Sequence, residues 1–276
     1  MKKIISLLLA LLMLSLTMVA CSSDEEGTTG NLGTSTGEDE VKSYQPTENN
    51  PYADTFTYDY VGKYIAITGF SGSAEKHTVT VPTKIGETVV TQIAEGAFDN
   101  CSNIAKIVVP EGIEVIGDNA FTGCAELTEV VLPTTLRSIG VAAFSDCAKL
   151  EKVEGLRATA VTTIGAYAFY ACEKITALEL PDSLAAIATA TFADCTGLVS
   201  IRIGDEVKVI GAQAFFGCTA LELAALPTSV TELGSGAFGN CNAQTMATLK
   251  AGISNEMTYP EGVTIDHVFI VVEDAE

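Results

Sequence analysis

The sequence predicts a repeat solenoid of mixed α/β but β-rich character, and three observations carry that prediction. The phrase Ile-Gly-x-x-Ala-Phe-x-x-Cys recurs seven times with small variations, its phenylalanines standing at Phe98, Phe121, Phe144, Phe169, Phe192, Phe215 and Phe238. Five of the six gaps between them are 23 residues and one is 25. A second phrase, Leu-x-x-Val-x-Leu-Pro, falls between the copies, as in Leu127, Val130, Leu132 and Pro133. A fixed period of this size marks an array of supersecondary units, each burying its apolar side against its neighbours.

Each unit divides into local elements. Val130 and Leu132 point one way and Glu129 and Val131 the other, the period-two pattern of a short strand with one buried face. Counterparts include Ile104, Ile107, Val109 and Pro110, then Ile175, Leu178, Leu180 and Pro181. Proline cannot donate to a ladder, so it ends the strand. The Ala-Phe-x-x-Cys phrase carries apolar residues at helix-like spacing and predicts a short helical or 3-10 turn on the opposite side. Between them stand a second apolar anchor (Leu136) and a corner glycine (Gly140), repeated as Gly117, Gly165, Gly211 and Gly234. Ala94 and Ala188 take the same place, so the corner needs smallness rather than a left-handed backbone.

With Ile116-Gly117, Ala120-Phe121, Cys124, Leu127, Val130, Leu132, Pro133 and Leu136 repeated from copy to copy, the unit resembles the BspA-like branch of the bacterial leucine-rich repeats. The resemblance covers roughly residues 57 to 253. It implies a right-handed, curved leucine-rich-repeat solenoid with a parallel sheet on one face and short helical or 3-10 turns on the other. Tyr64 to Phe70 and Val79 to Val90 are similar to that family's opening strands, a pair covering the first core layer. Proteins of this kind are associated with adhesion to host or neighbouring-cell proteins.

Departures from the pattern place the irregularities. The third copy has Gly155 where the last apolar strand residue belongs, and two extra residues before Val161, so a bulge or outward loop is expected over 154–160. Thr191 replaces alanine before Phe192, a small-for-small change. The seventh copy keeps Leu233, Gly234, Ala237, Phe238 and Cys241, then has Gln244 where leucine belongs, the decay expected of a terminal cap. The apolar run Val268 to Val272 is expected to close the last layer as a strand. The solenoid is thus placed at 55–276, with an N-terminal cap over 55–90, repeats over 91–244 and a C-terminal cap over 245–276.

Lys2 and Lys3, an apolar run from Ile4 to Val19, and Met18-Val19-Ala20-Cys21 form a secretory signal ending in a lipobox-like small residue before cysteine. This predicts cleavage after residue 20 and a lipid on Cys21. The alternative, a membrane-spanning helix, fits a run that is short, carries Ser6, Ser15 and Thr17, and enters a polar segment less well. Removing Lys2 and Lys3 takes the 15 basic residues to 13 against 35 acidic ones, a net charge near −22. That balance argues against nucleic acid as a partner and against electrostatic attachment to an anionic membrane. Residues 21–54 are rich in Ser, Thr, Gly, Asp and Glu and are expected to be a disordered tether. Asp24-Glu25-Glu26 resembles a signal for surface display of lipoproteins, although acidic tethers also occur without that role. The expected location is the bacterial cell envelope, lipid-anchored and surface-exposed.

Constellations for chemistry are scarce. Cys101, Cys124, Cys147, Cys172, Cys195, Cys218 and Cys241 occupy one position of the repeat and should form a core column about 4.8 Å apart. Parallel side chains at that spacing suit free thiols better than disulfides, and the lack of a Cys-x-x-Cys pair weakens a metal site. His77 and His267 lie near opposite ends of the solenoid and cannot share a site. Neither Asp205-Glu206 nor Glu38-Asp39-Glu40 has the spacing of a calcium loop. No phosphate loop, nucleophile elbow or zinc-protease phrase occurs, so neither enzymatic activity nor a cofactor or metal is expected. Tyr52, Tyr58, Tyr60 and Tyr64 cluster in or before the first cap, either as packing or as a contact patch.

The remaining candidate is the outward row of the sheet. Its binding residues are taken as Lys106, Val108, Glu129, Val131, Lys152, Glu154, Glu179 and Arg202. A solenoid presents such a row as an extended preorganised platform, and mixed charge with small apolar residues suits a protein better than a small molecule. A solvated sheet face is the plain alternative. The expected function is a non-catalytic envelope lipoprotein binding a protein ligand as a monomer, with capture of glycans or peptides for uptake as the alternative.

Overall fold

The computed structural model describes residues 42–44, 56–72, 77–253 and 257–269. The signal segment, Cys21 and most of the expected tether therefore lie outside the described residues. The N-terminal cap contains β1 (Lys42–Tyr44), β2 (Phe56–Val61), β3 (Tyr64–Phe70), β4 (His77–Thr80), β5 (Lys84–Ile85) and β6 (Thr88–Ile93). Each following coil contributes one strand of each of two columns, except the last, which gives only β17. They are β7 (Ile104–Val108), β8 (Val115–Ile116), β9 (Glu129–Val131), β10 (Ser138–Ile139), β11 (Lys152–Glu154) and β12 (Thr163–Ile164). Then come β13 (Ala177–Glu179), β14 (Ala186–Ile187), β15 (Ser200–Arg202), β16 (Val209–Ile210) and β17 (Glu232–Leu233). Where a disordered tether was expected, β1 pairs antiparallel with β2, Ser43 opposite Thr57.

The expected parallel sheet is present, and a second parallel column stands beside it. The first column runs β4-β7-β9-β11 and then β13-β15. The second runs β3-β6-β8-β10-β12 and then β14-β16-β17. In the second column each coil gives only two residues, of which the isoleucine faces inward: Ile116, Ile139, Ile187 and Ile210 are at most 2% exposed. The corner glycines follow these strands without positive φ. A Cβ on Gly140 would lie 2.5 Å from the Gly117 carbonyl carbon one coil back, so smallness sets this position.

The third side carries the expected short i→i−3 turns, which do not extend into a helix. Residues two before and two after each core phenylalanine have positive φ, as at Ala142 and Asp146 around Phe144 (51° and 59°). Two left-handed residues within five positions are incompatible with a continuing helix. They let the chain combine i→i−3 turns, such as Cys147 N to Phe144 O, with bonds to the next coil. Phe144 N donates to Ala168 O at 2.8 Å and Asp146 N to Tyr170 O at 2.8 Å. The position two after the phenylalanine reads Asn100, Gly123, Asp146, Ala171, Asp194, Gly217 and Asn240, dominated by residues that tolerate the left-handed region.

The core is a set of stacked columns. All seven repeat phenylalanines are fully buried, with successive rings 4.9 to 5.6 Å apart and within 18° of parallel. Offset stacking adds about 0.5–1.5 kcal/mol per pair to the burial of the rings. Phe70 extends the stack onto Phe98 at 5.5 Å, and Phe269 onto Phe238 at 6.1 Å.

The C-terminal cap begins where the repeat pattern decays. Asn242 caps helix α1 (Ala243–Gly252), accepting a hydrogen bond from Gln244 N, and buried Thr245 donates to Leu221 O at 2.6 Å. Val268 closes the core, fully buried, but at the end of a short helix α2 (Ile265–Val268) and not in the strand expected over Val268 to Val272. The reason is local: Thr264 and His267 form a capping box that starts a helix there. Residues 270–272 lie outside the described residues. Val268 O and His267 O then accept from Phe238 N and Gly236 N, standing in for a further coil.

The 25-residue gap has a larger consequence than a surface bulge. Gly155 (φ 84°) turns the chain out of β11 into a 3-10 helix, Leu156–Ala158, with Leu156 buried. Both strand columns stop between the same two coils: β11 and β13 belong to different sheets, and so do β12 and β14. The turn side continues across this point, with Tyr167 N, Phe169 N and Ala171 N bonded to Thr189, Thr191 and Ala193. The solenoid is therefore two stacks of coils joined along the phenylalanine side.

Candidate functional site

Six of the eight row residues meet on one sheet. Lys106, Glu129 and Lys152 are register partners across β7, β9 and β11, and Val108, Val131 and Glu154 form the adjoining line. Thr78 and Thr80 on β4 extend the two lines by one strand. Glu179 and Arg202 are register partners on the separate β13-β15 sheet, so the interruption divides the row.

The charges of the row are largely paired between coils. Lys106 Nζ lies 2.5 Å from Glu129 Oε1, and this hydrogen bond raises the lysine above its ordinary pKa. Arg202 pairs with Asp182 at 2.6 Å and Arg157, in the insertion, with Glu179 at 2.8 Å. A 23-residue spacing puts opposite charges side by side, as also for Lys149 with Glu126 and Arg137 with Glu114. Solvent-reached pairs of this kind contribute little to stability. They give the face an alternating pattern of charge around two half-buried valines.

The interruption opens a groove of about 420 Å³ lined by Val153, Gly155, Leu156, Ala177 and Leu178, with Arg157 and Glu179 at its mouth. Val153 is half-buried where its counterparts Ile107 and Val130 are fully buried. Sequence reasoning placed a loop here but missed the groove and Arg157. The only signal was the departure from the 23-residue period.

The cysteine column forms as expected from Cys124 onward, with six free buried thiols. Each donates to the carbonyl of the phenylalanine one coil back, at 3.0 to 3.1 Å, from Cys124 to Phe98 through Cys241 to Phe215. Burial pushes Cys195 and Cys241 up to about 12 and Cys147, Cys172 and Cys218 upward as well. They remain protonated donors and poor nucleophiles. Cys101, at the head of the column, is not among these six free thiols, where seven were expected.

The remaining candidates are structural or dispersed. Tyr58 is buried in the cap, while Tyr60 and Tyr64 are exposed; Tyr52 lies outside the described residues. His267 accepts from Thr264 N at 3.0 Å, and His77 sits on β4 at the other end. Asp205 and Glu206 are exposed. Among the described residues no group of three or more His, Cys, Asp or Glu is placed to hold a metal ion, and no helix is long and apolar enough to cross a membrane.

The repeat geometry has counterparts among known proteins. The model of the BspA type leucine rich repeat region matches residues 54–172 and 156–258, together most of the chain. The chain belongs to the BspA-type leucine-rich repeat family. Among solved structures, this BspA-type chain is similar to a leucine-rich cell surface protein from Faecalibacterium prausnitzii, with 26% identity and a TM-score of 0.62. That match covers 74% of this chain and 54% of the other, so the chain spans about half the length of that structure. A leucine-rich repeat protein from Bacteroides ovatus shares the fold at 23% identity, with a TM-score of 0.53 over 78% of this chain and 65% of the other. One from Eubacterium ventriosum does so at 23% identity, with a TM-score of 0.51 over 80% and 54%. No curated protein matches the chain.

Proposed function

We propose that this BspA-type chain is a non-catalytic, lipid-anchored protein-binding module of the bacterial cell envelope, acting in adhesion through its solenoid surface. The observation that carries the reading is the four-stranded face of β4, β7, β9 and β11. There, charges alternate in register around Val108 and Val131 on a backbone held by parallel ladders. A flat, preorganised face of mixed charge with apolar spots fits a protein surface. Lys2 and Lys3, the apolar run and Ala20-Cys21 support export and lipidation at Cys21. The F. prausnitzii relative's description as a cell surface protein supports display outside the cell. The 35 acidic residues against 15 basic ones support a partner other than nucleic acid.

The test is binding of the chain carrying Cys21→Ser to arrays of immobilised surface proteins and of polysaccharides. Saturable binding to proteins and none to polysaccharides supports the reading. Binding to polysaccharides alone replaces it with glycan capture.

A further inference from the structure

We infer that the interruption between β11 and β13 is a docking groove for a short extended segment of a basic polypeptide; this rests on the protein-binding reading and adds a second contact beside the sheet face. The argument begins with the backbone. In a parallel sheet alternate residues bond to alternate neighbours. Leu132 N bonds to Glu154 O, which places Glu154 toward β9 and turns the N–H and C=O of Val153 toward the groove. Leu180 N bonds to Arg202 O, which places Leu180 and Leu178 toward β15 and turns Ala177 and Glu179 toward the groove. Two strand edges with main-chain donors and acceptors therefore face one open space, at a point where neither column of ladder bonds crosses. Open edges are templates for an added strand, and main-chain pairing of an extended peptide is an established binding mode.

The floor and rim select the occupant further. Half-buried Val153 and the side of Leu178 give an apolar floor, and the volume of about 420 Å³ lies in the range of ligand clefts. At the mouth the Arg157 guanidinium holds Glu179 at 2.8 Å, and both groups are more than half exposed, so solvent and competitors reach them. Glu154 is exposed on the opposite strand. A lysine or arginine next to the docked stretch replaces Arg157 on Glu179, and the charge of −20 over the whole chain draws a basic segment in.

The test pans a displayed library of short linear peptides against the full chain, then maps enriched peptides by hydrogen exchange. Enriched sequences should be rich in lysine or arginine and should slow exchange at Val153, Gly155, Ala177 and Glu179. Ala177→Pro removes an N–H aimed at the groove and should lower affinity about tenfold. Two exposed changes guard against misfolding: Glu179→Gln should weaken binding, whereas Arg157→Ala should strengthen it several-fold by freeing Glu179. Failure to enrich any peptide overturns the groove, as does protection confined to β7 and β9. Binding of folded proteins that is indifferent to all three variants also overturns it, while leaving the protein-binding reading in place.

Discussion

The thiol of Cys172 donates a hydrogen bond to the carbonyl oxygen of Phe144 at 3.1 Å, the distance found across the regular coils, although two extra residues separate the pair. The insertion is thus absorbed on the strand side, while the cysteine and phenylalanine columns keep their spacing. The same carbonyl also accepts Cys147 N from its own turn, so both of its lone pairs are used. Leaving such a group without a partner in the core costs about 1–3 kcal/mol.

These thiols make stability fall in alkali. Their ordinary pKa is 9.0, and in the fold Cys195 and Cys241 are pushed up to about 12 by burial. Below about pH 9 each is protonated in folded and unfolded chains alike and stability is full. Between about pH 9 and 12 only the unfolded chain ionises, so each thiol removes about 1.4 kcal/mol per pH unit. Thermal melts from pH 7 to 11 should show a steep drop above pH 9, reduced in Cys195→Ala. The six free thiols should react slowly when folded and at once in denaturant; fast labelling of the native chain would show that the column is not closed.

Phe169 joins the two stacks of coils, with Phe144 at 5.3 Å on one side and Phe192 at 5.6 Å on the other. Phe169→Ala should destabilise by about 3–5 kcal/mol. Because no strand ladder spans this point, it should also split the single unfolding transition into two. Phe238→Ala, next to the cap, should keep one transition. Equal, small shifts in both variants by calorimetry would contradict the assigned joint.

Cys21→Ser should move the chain from the membrane fraction to the soluble fraction, since acyl chains and not the acidic domain supply membrane affinity. Fractionation after a salt wash decides this: a variant that remains with the membrane is held by something other than a lipid on Cys21.

Much of the fold was legible in the sequence because one period governs it. The register of Phe98 through Phe238 and the buried cysteines follow from spacing alone. The second sheet column was not, because two-residue strands such as Ser138–Ile139 carry no alternation to read. The left-handed residues of the turn side were less legible, because Ala142, Tyr167 and Gln213 adopt positive φ against their own preference. Asn100, Asp146, Asp194 and Asn240 did hold a readable signal for it. On the candidate face, alternation gave the outward residues correctly. The split between Glu154 and Glu179 depends on how neighbouring coils separate, which no single repeat encodes.

The central claim, recognition of a protein by the β4-β7-β9-β11 face, is tested most directly by inverting its charge pattern without breaking it. The double change Lys106→Glu with Glu129→Lys keeps the ion pair across β7 and β9 and should leave stability within about 0.5 kcal/mol. Surface plasmon resonance against a protein recovered from the array should then show an association rate lower by about tenfold at low salt, with the gap narrowing as salt rises. Unchanged association and dissociation rates in the folded double variant contradict the claim.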